Sequence, residues 1–344
     1  MPLRIIQVGM GGWGRSWFQN VLRPNPHVEI VACVDSSPIT LTQAQQQLNL
    51  PANLCFDSLD AALANTTSDA VLITASLPGH VPSALTALAA GKHVLIEKPF
   101  APTLAEAKQV VQAAEERGLV LMVSQNYRFF PAVRVAAALV REEALGPVGA
   151  VSIDFRRYAN NAPIESNHHY TIDHPLLLDM AIHHYDLIRM VLGQEPTQVN
   201  CQTWNPPWSN FRDPAAAVAS ITLESGLVVS YHGSWVSPSP RTTWAGEWRI
   251  ECERGEIAWT SRGDNGLSDE RVTVRKLGKS ARRVKLPELP TIDRAGALQS
   301  FIQAIERGTP PESSGRDNLG TLACMIAMIE SSNTGLTVAV PRIY

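Results

Sequence analysis

A short β-prone run, Ile5, Ile6 and Val8, is followed at once by Gly9, Gly11 and Gly14 in the spacing G-x-G-x-x-G. Residues 15–22 carry no Gly or Pro and can form a helix. A second apolar run, residues 28–34, ends in Asp35, 21 residues beyond Gly14. In a dinucleotide-binding unit each part has a physical task. The first glycine permits a tight turn, the second lets backbone approach a pyrophosphate, and the third allows close helix–strand packing. The helix N-terminus adds N–H donors and positive dipole for the phosphates. A glycine-rich loop that merely turns the chain is the plainer alternative. The strand before it, the helix after it and the acidic residue closing the second strand favour the dinucleotide.

Asp35 also bears on which dinucleotide. A carboxylate there can accept hydrogen bonds from ribose hydroxyls and would repel a 2′-phosphate. No Lys or Arg occurs between Arg23 and Lys92, so that segment offers no cation for such a phosphate. NAD is therefore expected over NADP.

The alternation continues. Helix-prone stretches at 40–48, 57–65, 81–90 and 104–117 are interleaved with apolar strands near 53–56 and at 70–74, 92–96 and 119–123. Pro78-Gly79-His80 reads as a turn, and Gly91 as a helix C-cap. This predicts an α/β Rossmann domain over 1–124, a doubly wound parallel sheet. Lys98 falls just past the C-terminal end of the strand 92–96, where ligands of open α/β sheets sit.

From about residue 150 the pattern changes to runs of strands at 151–156, 198–203, 216–224, 227–234, 247–252, 257–260 and 271–275. The turns Ser225-Gly226 and Arg254-Gly255 link neighbours as hairpins. Helices at 292–306 and 319–331 and a last strand at 337–340 close the chain. An α+β domain over 125–344, built on a large, mostly antiparallel sheet, is predicted.

Charge narrows the partners. Lys plus Arg is 29 and Asp plus Glu is 32, a net charge of 29 − 32 = −3, with no basic block to suit nucleic acid or an anionic membrane. Residues 70–91 lack charge, but Pro78, Gly79 and Pro82 break them up, so they read as strand, turn and helix rather than a membrane span. No export signal is visible at the N-terminus. Five scattered cysteines without a CxxC pair suit reduced thiols in the cytoplasm.

Several segments together resemble the Gfo/Idh/MocA family, which takes in glucose–fructose oxidoreductase and inositol dehydrogenase. They are the run from Ile6 through Gly14, then Gly91-Lys92-His93-Val94-Leu95-Ile96-Glu97-Lys98-Pro99, then Asp179-Met180-Ala181-Ile182-His183 with Asp186 beyond. A weaker match is Phe301-Ile302-Gln303-Ala304-Ile305 to Gly308, then Thr334-Gly335. Two departures stand out. Ala75-Ser76 replaces a Thr-Pro or Pro-Pro pair before His80, and His174 to Leu178 replaces a glycine-rich approach to Asp179. The first touches a cofactor loop, and the second alters a wall of the substrate site.

The resemblance implies that Gly9, Gly11, Gly12, Trp13, Gly14, Asp35, His80, Glu97 and Lys98 meet the cofactor. For Glu97 a purely structural role is equally open. It also implies NAD-dependent hydride transfer at a secondary alcohol of a sugar, sugar acid or cyclitol. Histidine suits the proton step near neutral pH, and a lysine can stabilise developing oxygen charge or relay the proton. His183 is thus expected as general acid/base, Lys98 as its electrostatic and proton-relay partner, and Asp179 as substrate-binding, orienting carboxylate. An ordinary i, i+4 pair on a solvated helix face is the structural alternative for Asp179 and His183.

Residues 176–192 lack Gly and Pro, and on an α-helical wheel Asp179, His183 and Asp186 share one face. Asp186 can equally cap or salt-bridge. Asn126-Tyr127-Arg128 follows strand 119–123, so Tyr127 is a candidate substrate contact and Arg128 a candidate ion-pair partner. The polar stretch 157–170 could close over substrate. Five of nine histidines lie between His168 and His184, but their spacing is not HExxH and no cysteine is near, so no metal is expected.

Five of eight tryptophans lie between Trp204 and Trp248 and suit sheet packing or a subunit interface better than sugar stacking. A broad sheet with an uncovered face, together with the resemblance, suggests a homodimer or homotetramer. Two other functions share this fold: a cofactor-binding regulatory protein without turnover, and an NAD-dependent glycosidase. Intact Lys98, Asp179 and His183 argue against the first, and the absence of net NADH would mark the second.

Overall fold

A computed structural model describes residues 1–163 and 167–343. The chain forms two compact units, one of Met1–Asn126 with Arg294–Leu319, the other of Tyr127–Asp293 with Gly320–Tyr344.

The first unit holds strands β1 (Leu3–Val8), β2 (Val28–Val34), β3 (Cys55–Phe56), β4 (Ala70–Ile73), β5 (His93–Ile96) and β6 (Leu121–Val123). Between them run helices α1 (Gly12–Trp17), α2 (Pro38–Leu48), α3 (Leu59–Asn65), α4 (Leu77–Ala89) and α5 (Leu104–Glu115). The strands pair in parallel in the order β3-β2-β1-β4-β5-β6, the predicted doubly wound sheet. Central β4 is apolar and buried along its whole length, as a strand covered on both faces must be. The strand order reverses between β1 and β4, so the crevice at their C-terminal ends is the ligand position of such sheets.

Two readings are revised here. Pro78, Gly79 and His80 lie in the first turn of α4 rather than in a separate turn, because proline is tolerated at the start of a helix where no N–H is needed. The segment Arg294–Leu319, read from sequence with the second domain, belongs to this unit. Ser313 gives its backbone oxygen to Val123 N (2.9 Å) and its Oγ to Val123 O (2.7 Å), and so covers the β6 edge. Gly315 sits so close to Leu121 that a Cβ would lie 2.3 Å from its Cδ2.

The second unit begins with α6 (Pro131–Arg141), β7 (Val148–Arg156), α7 (Ala181–Leu192), β8 (Pro196–Trp204), β9 (Ala216–Leu223) and β10 (Val228–Ser234). It continues with β11 (Glu247–Cys252), β12 (Gly255–Thr260), β13 (Arg271–Lys276) and β14 (Arg282–Arg283). Helices α8 (Asp293–Arg307) and α9 (Gly315–Thr334) and strand β15 (Val338–Ala339) end the chain. The nine strands form one sheet in the order β14-β13-β12-β11-β7-β10-β9-β8-β15. Pairing is antiparallel except between β7 and β10, where Val151 stands beside Val229 in parallel. Hairpin turns specify only sequential neighbours, so the pairings of β7 with β10 and β11, and of β8 with β15, have no local signature.

The helix expected over 176–192 is two pieces. His174 takes a left-handed conformation (φ 46°), Pro175–Met180 is a π-helical turn, and α7 begins at Ala181. Wider i→i+5 turns change the angular register, so Asp179 does not follow the wheel that relates His183 to Asp186. Among the described residues no helix is long and apolar enough to cross a membrane.

Candidate active site

The glycine turn after β1 divides its glycines into two kinds. Gly9 has φ 92°, and a Cβ there would lie 2.3 Å from Ala75 N; one on Gly14 would lie 1.9 Å from Gly9 O. These two are glycine because the protein's own backbone fills the space. A Cβ on Gly11 or Gly12 would meet nothing within 4 Å, so intramolecular packing does not require glycine there. Close approach of a dinucleotide pyrophosphate, which the G-x-G-x-x-G spacing predicts, would require it.

Two polar residues that the sequence reading missed lock this turn. Gln7, buried within β1, gives its Nε2 to Gly14 O (2.8 Å) and Thr74 Oγ1 (3.1 Å), and Thr74 Oγ1 donates to Gly9 O (2.7 Å). A glutamine inside an apolar strand was the available signal, since a buried amide seeks partners. Asp35 accepts from Met10 N through Oδ2 (2.7 Å) and from Ser37 N through Oδ1 (2.9 Å). Each oxygen retains a lone pair suited to a ribose hydroxyl.

At the end of β5, Glu97 is buried and accepts from Trp17 Nε1 (2.7 Å). Burial pushes its carboxyl up; the Lys98 charge and the hydrogen bond from Trp17 oppose the shift. Glu97 Oε2 also accepts from Lys98 N (3.3 Å), so it steadies the backbone that carries the lysine. His80 is buried, with Nδ1 2.9 Å from Pro99 O and Nε2 2.9 Å from Ala75 O. It therefore braces the first turn of α4 against the Lys98-Pro99 turn. A neutral imidazole has one N–H and serves one of these carbonyls at a time. Trp13 stays partly exposed, with the Arg294 guanidinium 4.4 Å from its ring centroid.

In the second unit, Asp179 is 38 % exposed and its Oδ2 lies 3.2 Å from His169 Nε2. His183 is 6 % exposed and stacks parallel on Tyr127, ring centroids 4.0 Å apart. Tyr127 is itself buried, and Arg262 Nη1 donates to its hydroxyl (2.9 Å). Burial pushes that phenol well above its usual range. The neighbouring His184 does something else. Its Nε2 lies 3.0 Å from Trp244 O and its Nδ1 3.1 Å from Tyr231 Oη, the pattern of a neutral ring, and burial brings its pKa down to about 4.

Asp186 and Arg128 resolve as the ion-pair alternative. They meet in a buried bidentate pair (2.6 and 2.7 Å), and Thr321 donates to Asp186 Oδ1 (3.0 Å). Trp235 stands between His169 and Trp244, at 5.0 and 6.0 Å, whereas Trp248 stacks on Trp259 within the sheet core (4.6 Å). Part of the polar stretch 157–170, residues 164–166, lies outside the described residues; Tyr170 Oη donates to Ala159 O (2.8 Å). Among the described residues no group of three His, Cys, Asp or Glu could hold a metal ion.

A family profile described as an oxidoreductase family with NAD-binding Rossmann fold matches residues 3–125, and the GFO/IDH/MocA C-terminal domain matches 133–258. The chain belongs to the Gfo/Idh/MocA family. It is thus an NAD(P)-dependent oxidoreductase, and its glycine turn lies in the family's NAD-binding domain. This Gfo/Idh/MocA protein is 28 % identical to the uncharacterized protein y4oX of Sinorhizobium fredii, over 99 % of this chain and 96 % of that one. It is 27 % identical to the D-apiose dehydrogenase of Paraburkholderia graminis, over 96 % and 88 %. Its fold matches an Agrobacterium radiobacter oxidoreductase solved with NAD+, L-tartaric acid and magnesium, with a TM-score of 0.85 at 20 % identity over 99 % of both chains.

Proposed function

We propose that this Gfo/Idh/MocA oxidoreductase transfers hydride between NAD and a secondary alcohol of a sugar, sugar acid or cyclitol. The observation that carries the reading is His183: a nearly buried imidazole clamped flat on Tyr127, four residues from the partly exposed carboxylate of Asp179. An i, i+4 pair on a solvated face would have no such clamp. Likeness to a D-apiose dehydrogenase supports a sugar-like substrate.

Bound NAD supplies the hydride acceptor. Gly11, Gly12 and the first turn of α1 hold its pyrophosphate, Asp35 its adenosine ribose, and Asp35 selects against a 2′-phosphate. His183 takes the hydroxyl proton as the alcohol becomes a ketone and returns it in reduction. Lys98, just past the end of β5, is assigned the electrostatic role of stabilising developing negative oxygen charge. Asp179 accepts from a neighbouring substrate hydroxyl and, with His169, fixes the ring's orientation. Tyr127 holds the His183 ring plane. We also infer a cytoplasmic protein, from its scattered cysteines. A homodimer or homotetramer joined through the broad sheet is inferred as well; a monomer by light scattering at micromolar concentration would remove it.

The test is a screen of sugars, sugar acids and cyclitols with NAD and NADP, read by absorbance of the reduced nicotinamide. His183→Ala should lower kcat by about 10²–10⁴-fold. A variant as fast as wild type would refute His183 as the base.

A further inference from the structure

We propose that the substrate of this site is an acid, and that Arg157 and Arg262 hold its carboxylate. The inference rests on the reading above that Asp179 and His183 face the substrate. Contacts lead step by step from those two residues to the arginines. Asp179 meets His169, His169 packs edge-on against Trp235, and Trp235 packs against Trp244. From the other side His183 stacks on Tyr127, and Tyr127 receives the Arg262 hydrogen bond. Trp244 joins the two paths: the Arg157 guanidinium lies 4.1 Å from its ring centroid and that of Arg262 5.7 Å. Asp179 and His183, four residues apart, complete the circuit.

Several charged groups line this wall. Its cations are Arg157, Arg262 and Arg241. Its carboxylates are Asp264, shared by Arg157 (2.7 Å), Arg241 (3.1 Å) and Trp244 Nε1 (2.9 Å), and Asp293, 3.9 Å from Arg262 Nε. Among the described residues Asp264 serves both Arg157 and Arg241, Asp293 stands near Arg262, Glu270 holds the Arg262 backbone, and Asp179 is engaged by His169. Arg157 is 6 % exposed, and the Nε of both Arg157 and Arg262 is buried with no hydrogen-bond partner among the described residues. A buried donor left unpaired costs about 1–3 kcal/mol. Arg157 spends Nη1 on Asp264, which leaves the edge containing Nε. That edge is the one that matches a carboxylate with two parallel N–H···O bonds.

The backbone at Arg262 reinforces the point. It takes φ 58°, a left-handed conformation that costs a non-glycine residue energy and concentrates at ligand sites. Buried Glu270 holds it there by accepting from Arg262 N, while also accepting from Ser261 Oγ (2.8 Å) and Ala132 N (3.0 Å).

The experiment compares uronates and aldonates with their neutral parent sugars, first by calorimetric binding to the NADH-loaded enzyme and then by turnover with NAD. Acids should bind about 10–100-fold tighter than their parents. Arg157→Gln should abolish that preference, read as the ratio of acid to neutral-sugar affinity. Arg157→Lys, which keeps charge but loses the paired edge, should retain only part of it. A purely structural arginine would lower thermal stability in both variants and leave the acid-to-neutral ratio alone, which overturns the proposal. Equal binding of acids and parents, or no binding of any acid, overturns it too. Neutral sugars oxidised as fast as acids would sink the proposal and leave the dehydrogenase reading standing. Acid bound through Arg157 but never oxidised would do the reverse.

Discussion

The glycine turn and the His183 cluster both place polar groups within apolar surroundings, but they are assembled differently. Gln7, Gly9, Gly14 and Asp35 lie close in sequence, with Thr74 and Ala75 arriving from just past the end of β4. The second cluster draws Tyr127, Arg157, His169, Asp179, His183, Trp244 and Arg262 from separate elements, with Arg262 135 positions after Tyr127. The first is held by steric closeness of backbone. The second leans on a buried ionic frame, in which Arg128 pairs with Asp186, Thr321 bridges Asp186 to Arg189, and Arg189 pairs with Glu195. A local device should therefore fail by clash, and a dispersed one by stranded charge.

The largest stability effect should come from stranding a charge. Arg128→Met leaves Asp186, 1 % exposed, without its bidentate partner. Removing one member of a buried pair costs about 3–5 kcal/mol, measurable by denaturant unfolding. Arg128→Met combined with Asp186→Leu should recover most of that loss. A single variant within about 1 kcal/mol of wild type would contradict the ionic frame.

Adjacent His183 and His184 give the next contrast. His184 has its pKa lowered in the fold from 6.5 to about 4. The unfolded chain therefore binds its proton more readily, and stability falls as pH drops from 6.5 towards 4 while being fully present above 6.5. The shift corresponds to roughly 3 kcal/mol at the acid end. His184→Gln should flatten this decline relative to wild type when melting temperature is followed from pH 7 to 5. An unchanged slope would deny His184 that role.

The glycine turn should break by geometry. Gly14→Ala puts a Cβ against Gly9 O and should cost about 1–3 kcal/mol of stability. Gly11→Ala has open space and φ −61°. It should leave the melting temperature unchanged and raise the KM for NAD. If Gly11→Ala melted early at unchanged KM, the division of glycines into packing and ligand-facing kinds would be wrong.

The same contrast explains what could be read in advance. Chemistry confined to a few neighbouring residues, such as the glycine spacing, Asp35 and Glu97-Lys98-Pro99, is visible as a pattern because neighbours in sequence are neighbours in space. The parallel sheet followed from its alternation of apolar strands and helices. The π-helical turn at Pro175–Met180 was not legible: its residues are compatible with an α-helix, and the left-handed His174 before it is a tertiary outcome. Arg157, Arg262 and Trp244 were equally silent, because nothing in their local sequence distinguishes them from surface arginines and a core tryptophan. Gln7 sat in plain view as a polar residue in an apolar strand.

The smallest effect sharpens the comparison most. Asp35 belongs to the local device and holds Met10 N and Ser37 N; the proposed function gives it a second job, presenting charge against a 2′-phosphate. Asp35→Asn keeps an acceptor oxygen and the side-chain shape but removes the charge. If charge is what selects the cofactor, kcat/KM with NAD should fall and that with NADP should rise, changing their ratio by about tenfold, the equivalent of 1.4 kcal/mol. If both fall together at constant ratio, the carboxylate acts only by bracing the Met10 amide. Cofactor choice would then depend on groups distant in sequence, and the first site would prove as dispersed as the second.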